Sequence, residues 1–577
     1  MVNNSFFWML RPITYLVLAI RLRLQAAWTR SGMDSMLLWA ALVGAAGGLC
    51  SALFREANIG LKWLLTGQSR DIVAIAESLT PIMRLVIPTL GGVAAGLALW
   101  LGGRLFKGMR SQDYLEVIRL GDGVISVKPT LTRLLSSLLS ISSGSSIGRE
   151  GGMVQFSALA ASSIGRLFRF SRPRLRLLVA CGGAAGMAAA YNTPLAGSLF
   201  IAEVVLQTLA IEALGPLIVS AVIATVVIRH WIGLRPIFTS PGFSVPEQID
   251  LLPVLGLGLL AGVLAPLFLA VLDISRRFFQ SLSLPLPVSL GLGGLMVGLI
   301  SLKSPEVWGN GHAVVEALLN ESPTWNFVLG ILVLKIIATA GAVGTGTVGG
   351  VFTPTLLIGA CLGWLYCVLL QVICPGFGGD TVTYAALGMG AFLSGTTLAP
   401  LMATLMIFEM TLDANLLFPL ILAAVSARYL AAAIRPVSVY ARTLGEIRTQ
   451  LPYLMHVSDL LAEPAAVINT TDTAEKVSGL FCMSSTQHVW VIDDQGIYQG
   501  SIALNHMKLF LGDHALQHLS ASVVFMENDL PTVTPDTALT EALEALVKHE
   551  ADRLPIVDPN RKLLGEITKS DVLLALG

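Results

Sequence analysis

The sequence predicts an all-α polytopic membrane protein that ends in a small α/β domain. Three observations predict it. Hydrophobic residues make up 54% of the 577 residues and charged residues only 13%, too little polar surface to cover a water-soluble globule of this size. Long apolar runs recur at 36–53, 85–101, 214–228, 251–272, 288–302, 327–343 and 418–434, lengths that suit bilayer spans. Near residue 445 charges become dense and the apolar runs shorten to strand length, the pattern of a soluble α/β module.

These shifts divide the chain into a cytosolic N-terminal segment at 1–30, a transmembrane domain at 31–445, a linker at 446–455 and a soluble domain at 456–577. The first apolar stretch is interrupted by Arg11 and followed by Arg21, Arg23 and Arg30. It is therefore read as no cleavable signal peptide. By the positive-inside rule that cluster places the N-terminus in the cytoplasm. A second cluster, Arg166, Arg169, Arg172, Arg174 and Arg176, is placed on the same side, and so is the soluble tail. The expected location is a cell inner (plasma) membrane crossed many times. Formal net charge is zero, so nothing draws the chain toward nucleic acid. Six scattered cysteines without CxxC spacing suggest neither a zinc site nor a disulfide framework. No HExxH and no Walker A sequence is present.

Between the long runs lie segments broken by Gly and Pro, at 137–148, 151–165, 181–191, 194–206, 344–354 and 395–400. Irregular backbone at membrane depth survives only where protein buries it or water lines it. Broken segments in both halves point to an inverted repeat with its site near the midplane. The candidate pair is Gly148–Gly152 in the first half and Gly349–Pro354 in the second. A helix start leaves N–H groups unpaired and carries partial positive charge. Two glycine-opened starts aimed at one point would hold an anion without a full fixed charge, which suits conduction. Glycine in membrane helices also serves close packing, so this signal is weak alone.

The sharper feature is Gly148-Arg149-Glu150-Gly151-Gly152. A carboxylate in an apolar, Gly-rich setting marks function by default. At a helix start Glu150 would occupy the place an anion wants, and its protonation or movement would vacate it. A salt bridge between Glu150 and Arg149 or another arginine is the competing reading. No other charge in the apolar segments is read as able to recognise an organic ion.

These residues, taken in order, resemble the CLC family of chloride channels and chloride/proton exchangers. Gly148–Gly152 is similar to the family's GREGP segment. Asn192-Thr193-Pro194-Leu195-Ala196-Gly197-Ser198-Leu199-Phe200 resembles NxPLAGxLF, and Gly350-Val351-Phe352-Thr353-Pro354 fits GxFxP. Pro400-Leu401 through Glu409-Met410-Thr411 fits the late helix pair, and Ser438-Val439-Tyr440 the last membrane helix. The SGSSIGREG and WGNGH stretches are similar to a bacterial ClcB-like group. The resemblance implies a CLC-like inverted repeat of tilted and broken helices that carries chloride or other small anions through a lipid bilayer as a homodimer. It implies that Glu150 is the external gate. It implies that the anion is held by backbone amides of Arg149, Glu150, Gly151, Val351 and Phe352 and by the Tyr440 hydroxyl. Tyr440 is otherwise an interfacial aromatic anchor.

Three departures bear on mechanism. The family's GSGIP serine falls at Gln112, whose amide donates but is larger and also accepts; this opens selectivity, with fluoride as an alternative. The inner proton-relay glutamate of many exchangers falls at Val204, beside Glu203. Gly152 stands where the family has proline. A channel is favoured, with chloride/proton exchange as the alternative. Glu203 is a proton-relay candidate beside a competing structural role, and Asp113 and Glu116 are further candidates.

The tail resembles a pair of CBS domains. Gly565-Glu566-Ile567-Thr568-Lys569-Ser570-Asp571 fits GxxTxxD, which implies an adenine nucleotide held by Thr568 and Asp571. The competing reading is a helix cap. In the first unit Ala503 and His506 replace the threonine and aspartate. No cofactor is required for transport itself. Gly144-Ser145-Ser146-Ile147-Gly148 also spells the GxSxG of serine hydrolases. His230 and His312 are the histidines of the membrane part, and neither is placed to serve a serine, so an enzyme is not expected.

Overall fold

The computed structural model describes residues 32–106, 113–119, 121–233, 237–238, 251–321, 323–374, 379–440, 456–462, 464, 466–483, 488–504, 530–549 and 551–575. The chain forms two compact units, Met1–Arg442 and Thr443–Gly577.

The first unit is helical. Its elements are α1 (Gly32–Thr66), α2 (Ile72–Ser78), α3 (Pro81–Leu105), α4 (Tyr114–Arg119), α5 (Val127–Ser142), α6 (Glu150–Leu167), α7 (Arg172–Tyr191), α8 (Pro194–Leu199) and α9 (Ile211–Ile232). They continue with α10 (Leu251–Ser281), α11 (Leu286–Ser301), α12 (His312–Asn320), α13 (Trp325–Gly344), α14 (Phe352–Ile373), α15 (Thr381–Thr397), α16 (Pro400–Thr411) and α17 (Leu417–Ile434). Seven helices are long and apolar enough to cross a bilayer among the described residues. Six of them contain apolar runs seen in the sequence. The run at 288–302 instead lies in the 16-residue α11. The seventh span is α14, which opens on the Gly350–Pro354 stretch. Glycines let these helices touch: an added Cβ at Gly363 would strike the Tyr384 carbonyl, and one at Gly388 the Gly359 carbonyl, so α14 and α15 meet backbone to backbone.

The two halves repeat one local design. α7 ends on Asn192 at φ 54°, ψ 34°, and α15 ends on Leu398 at φ 59°, ψ 27°. Thr193 (φ −125°, ψ 82°) and Ala399 (φ −122°, ψ 82°) follow, and then a proline opens the next helix. Proline suits that place because its missing N–H is one a helix start leaves unpaired anyway. The left-handed cap turns the chain sharply, so each half dives back as a short helix. The first of these short helices runs on into a π-helical turn, Phe200–Leu206, which adds a residue the second lacks.

The second unit holds two small α/β units. In the first, β1 (Val467–Asn469) pairs parallel with β2 (His488–Ile492), which pairs antiparallel with β3 (Tyr498–Ala503). α18 (Ala474–Met483) lies between β1 and β2 in sequence. In the second, α19 (Leu539–Lys548) precedes the antiparallel pair β4 (Arg553–Val557) and β5 (Leu563–Thr568), and α20 (Lys569–Ala575) follows. Each has its own apolar core, one around Val477, Val489 and Ile502, the other around Leu546, Leu554 and Ile567.

Candidate functional site

Gly148 and Gly350 join the two broken segments. Gly148 N–H donates to Gly350 O at 2.7 Å and Gly350 N–H to Gly148 O at 3.0 Å. This pair of bonds sets the starts of α6 and α14 side by side. Both positions need glycine, because a Cβ on either would strike the Glu150 carboxylate.

Glu150 is the first residue of α6 and is 3% exposed. Its Oε1 accepts from the Phe352 N–H at 2.9 Å, at the start of α14. Its Oε2 lies 3.3 Å from the donating Thr353 hydroxyl. Tyr191 Oη is 2.7 Å from Thr353 Oγ1; because Thr353 donates to the carboxylate, Tyr191 donates to Thr353. The carboxylate thus takes up N–H and O–H groups that a helix start would otherwise present to an anion.

Around it sits an aromatic wall. Tyr191 packs on Phe352 at 5.1 Å between centroids, Phe200 meets Phe352 at 6.5 Å, and Tyr440 meets Phe200 edge-on at 5.2 Å. Tyr440 is half-buried, in a turn fixed by the Val439 N–H bond to Thr396 O. Of the sequence-predicted set, the structure thus groups Glu150, Val351, Phe352 and Tyr440, with Arg149 and Gly151 at the start of α6. Gly151 faces Gly350 N, 3.3 Å from where a Cβ would stand. Gln112 lies outside the described residues. Arg149 makes no ion pair with Glu150 among the described residues, and its Nε is buried without a hydrogen bond.

Gly152 lies beneath Phe54 of α1: an added Cβ would fall 2.5 Å from Phe54 Cζ. This explains the missing family proline, since the phenyl ring fills the space a pyrrolidine would take.

Glu203 lies in the π-helical turn. Its carboxylate accepts from the N–H groups of Leu401 at 3.4 Å and Met402 at 2.8 Å, at the start of α16. Val204 next to it is buried. Asp113 accepts from Leu115 N at 3.0 Å and lies 3.8 Å from Arg133. Glu116 is in α4.

Sequence reasoning missed several parts. Tyr191, Thr353 and Phe200 stand inside or beside the quoted motifs, but nothing in a linear pattern says that they meet Glu150. The reading of charge in the apolar segments is corrected: Lys335 lies in the middle of α13 and is fully buried. A lone lysine in the run 327–343 was the available signal. Ser146 of the GxSxG run bonds the Thr339 hydroxyl at 3.1 Å, and His312 packs on Phe238 with centroids 4.7 Å apart.

In the tail the Thr568 hydroxyl donates to Asp571 Oδ2 at 2.5 Å, and Asp571 N–H donates back to Thr568 Oγ1 at 3.1 Å. Of the two side chains proposed for a ribose, Thr568 caps the start of α20 in this state and Asp571 accepts the Thr568 hydroxyl. His506 lies outside the described residues. Among the described residues no cluster of three or more His, Cys, Asp or Glu could hold a metal ion.

Residues 90–432 match the voltage-gated chloride channel family, and residues 521–577 match the CBS domain. The chain belongs to the voltage-gated chloride channel (CLC) family. A ClcB-like protein of Ralstonia nicotianae is 46% identical to this CLC chain over 417 residues, 72% of this chain and 97% of that one. The voltage-gated ClC-type chloride channel ClcB of Salmonella typhimurium is 41% identical over 423 residues, 72% of this chain and all of that one. The crystal structure of a slow cyanobacterial Cl−/H+ antiporter superposes with a TM-score of 0.64 at 25% identity, covering 72% of this CLC chain and 98% of the antiporter. These matches carry chloride transport proteins of both kinds, channel and antiporter.

Proposed function

We propose that this CLC chain carries chloride across the bilayer as a channel, and that Glu150 is its gate. One observation carries the reading: the Glu150 carboxylate is seated on the Phe352 N–H at 2.9 Å, an anion in the place built for an anion. Protonation removes the charge that competes with chloride there, so external acid favours the open state. The amides of Arg149, Glu150, Gly151, Val351 and Phe352 and the hydroxyl of Tyr440 are the proposed anion contacts, with Gln112 as a selectivity position.

Two observations favour a channel over an exchanger. Val204 has no proton to carry, and both oxygens of Glu203 already accept from backbone N–H groups. We further propose an inner-membrane homodimer with cytoplasmic termini, the domain limits 31–445 and 456–577, and an adenine nucleotide at Thr568 and Asp571. That last step requires nucleotide to displace the bond between those two side chains.

The test is ion flux from lipid vesicles holding the purified protein, with chloride, nitrate and fluoride compared and external pH recorded. Wild type and Glu150→Ala are measured side by side. Chloride flux without uphill proton movement, together with loss of the acid response in Glu150→Ala, fits the proposal. Proton movement driven uphill by chloride would replace the channel with the exchanger.

A further inference from the structure

Lys335 presents an unusual economy of partners. It sits in α13, a 20-residue helix long and apolar enough to cross a bilayer, and is 0% exposed. Its Nζ donates to Val307 O at 3.0 Å and Gly309 O at 2.7 Å. Among the described residues no carboxylate pairs with it. A buried ammonium without a counter-ion is costly, so its two charge-assisted bonds to carbonyls have to hold something that matters.

Those carbonyls flank Trp308, in the turn that follows the short helix Pro305–Val307. The turn locks onto the approach to α6. Gly309 N–H donates to Gly144 O at 3.1 Å. Trp308 is fully buried, and its ring fills the place of any Cβ on Gly144, which holds φ at +98°. One helical turn beyond Lys335, Thr339 bonds Ser146 at 3.1 Å. Ile147 packs where a Cβ on Gly349 would fall. Gly148 is bridged to Gly350, and Glu150 reaches Phe352. An unbroken set of contacts therefore runs from α13 through residues 144–148 to the carboxylate.

We propose that Lys335 is a positioning residue for Glu150: with Thr339 it braces residues 144–148 against α13 and keeps the carboxylate seated on the start of α14. The WGNGH turn is the strut through which it acts. Removing the ammonium leaves two carbonyls unpaired in a dry interior and loosens the seated state. The inference rests on the gate reading of Glu150.

The experiment measures chloride efflux from vesicles holding the full chain, at acidic and at neutral external pH. Wild type, Glu150→Ala, Lys335→Met, the double variant and Thr339→Val are compared. Loosening raises neutral-pH flux, so the acid-to-neutral flux ratio of Lys335→Met falls by about tenfold, the size expected for one or two unpaired buried carbonyls. In the Glu150→Ala background there is no carboxylate to seat, and Lys335→Met changes flux by less than about twofold. Thr339→Val, nearly isosteric, lowers the ratio in the same direction by a smaller factor. An unchanged ratio in Lys335→Met overturns the proposal. An equal flux loss with and without Glu150 also overturns it, because Lys335 then supports the fold at large. Should Lys335→Met not fold, Thr339→Val decides alone: a lowered ratio supports the brace and a wild-type ratio removes it. A Glu150→Ala variant that behaves as wild type instead defeats the gate reading, which separates the two failures.

Discussion

Glu203 and Glu409 cap each other's helices. Glu203 accepts from Leu401 and Met402 at the start of α16, and Glu409 accepts from Leu195 at 3.1 Å and Ala196 at 2.8 Å at the start of α8. Each carboxylate stands nine positions after the proline that opens its own helix. Arginines are matched too: Arg428 bears on Glu203 and Arg229 on Glu409. Two antiparallel short helices thereby exchange acceptors at their positive ends. We expect Glu409→Ala to lower stability by about 2 kcal/mol, because it removes a charged acceptor from two N–H groups at a helix start. Glu203→Ala should cost a similar amount. Thermal unfolding of the full chain in detergent is the measurement. A Glu203 variant with wild-type stability would free that carboxylate for a role in proton transfer.

The link from Tyr191 through Thr353 to Glu150 bears on the pH at which flux rises. Thr353→Val keeps the shape and removes the hydroxyl that donates to Oε2. The carboxylate then loses a donor that favours its charged form. Its proton binds more readily, so half-maximal chloride flux should move to higher external pH. Glu150→Gln should instead flatten the profile at the level that wild type reaches in acid. A midpoint moving toward lower pH in Thr353→Val would show that the hydroxyl does not donate to the carboxylate.

Much of this architecture was legible in the chain, and the reason is the solvent. A bilayer demands unbroken apolar runs, so six spans can be read directly from composition. α14 escaped because Gly349 and Gly350 stand just before it and Thr353, Pro354 and Thr355 fill its first turn, so its start reads as a broken segment. The pairing of Gly148 with Gly350 was suggested by their broken segments, but the hydrogen bonds between them join residues 202 positions apart. No local pattern encodes that distance. Glu150 stood out as a carboxylate among glycines. Lys335 did not, because one lysine barely lowers the hydropathy of a 20-residue helix. The reciprocal caps were hidden for another reason: each glutamate reads as ordinary until the other half of the chain is folded against it.

Gly152 tests whether packing, rather than helix chemistry, excludes proline after the gate. Position 152 is the third residue of α6, where a missing N–H costs nothing. The obstacle is Phe54, which is 3% exposed. Gly152→Pro should therefore destabilise the chain by about 1–3 kcal/mol, the range for an overpacked core. Phe54→Ala added to it should recover part of that loss, although alone it leaves a cavity and costs about 3–5 kcal/mol. Unfolding midpoints of the two single variants and the double variant give the coupling. Strict additivity would mean that the ring is not what keeps proline out.

In the soluble unit, Glu566 joins the two α/β repeats. Trp490 Nε1, on β2 of the first repeat, donates to Glu566 Oε2 at 2.7 Å. Arg553, on β4 of the second, donates to Glu566 Oε1 at 2.6 Å, with side chains 14% and 5% exposed. Each repeat has its own small core, and this buried carboxylate is shared between them. Breaking such a pair from one side leaves a buried guanidinium without its partner, which costs about 3–5 kcal/mol. Glu566→Gln still accepts from Trp490 but loses the charge that Arg553 needs. The penalty should therefore be local and large. Hydrogen–deuterium exchange of the full chain should show faster exchange in β2 and β4 together, while α13 and α14 exchange as in wild type. Acceleration confined to β4 and β5 would mean that Trp490 holds the first repeat in place without the charge on Glu566.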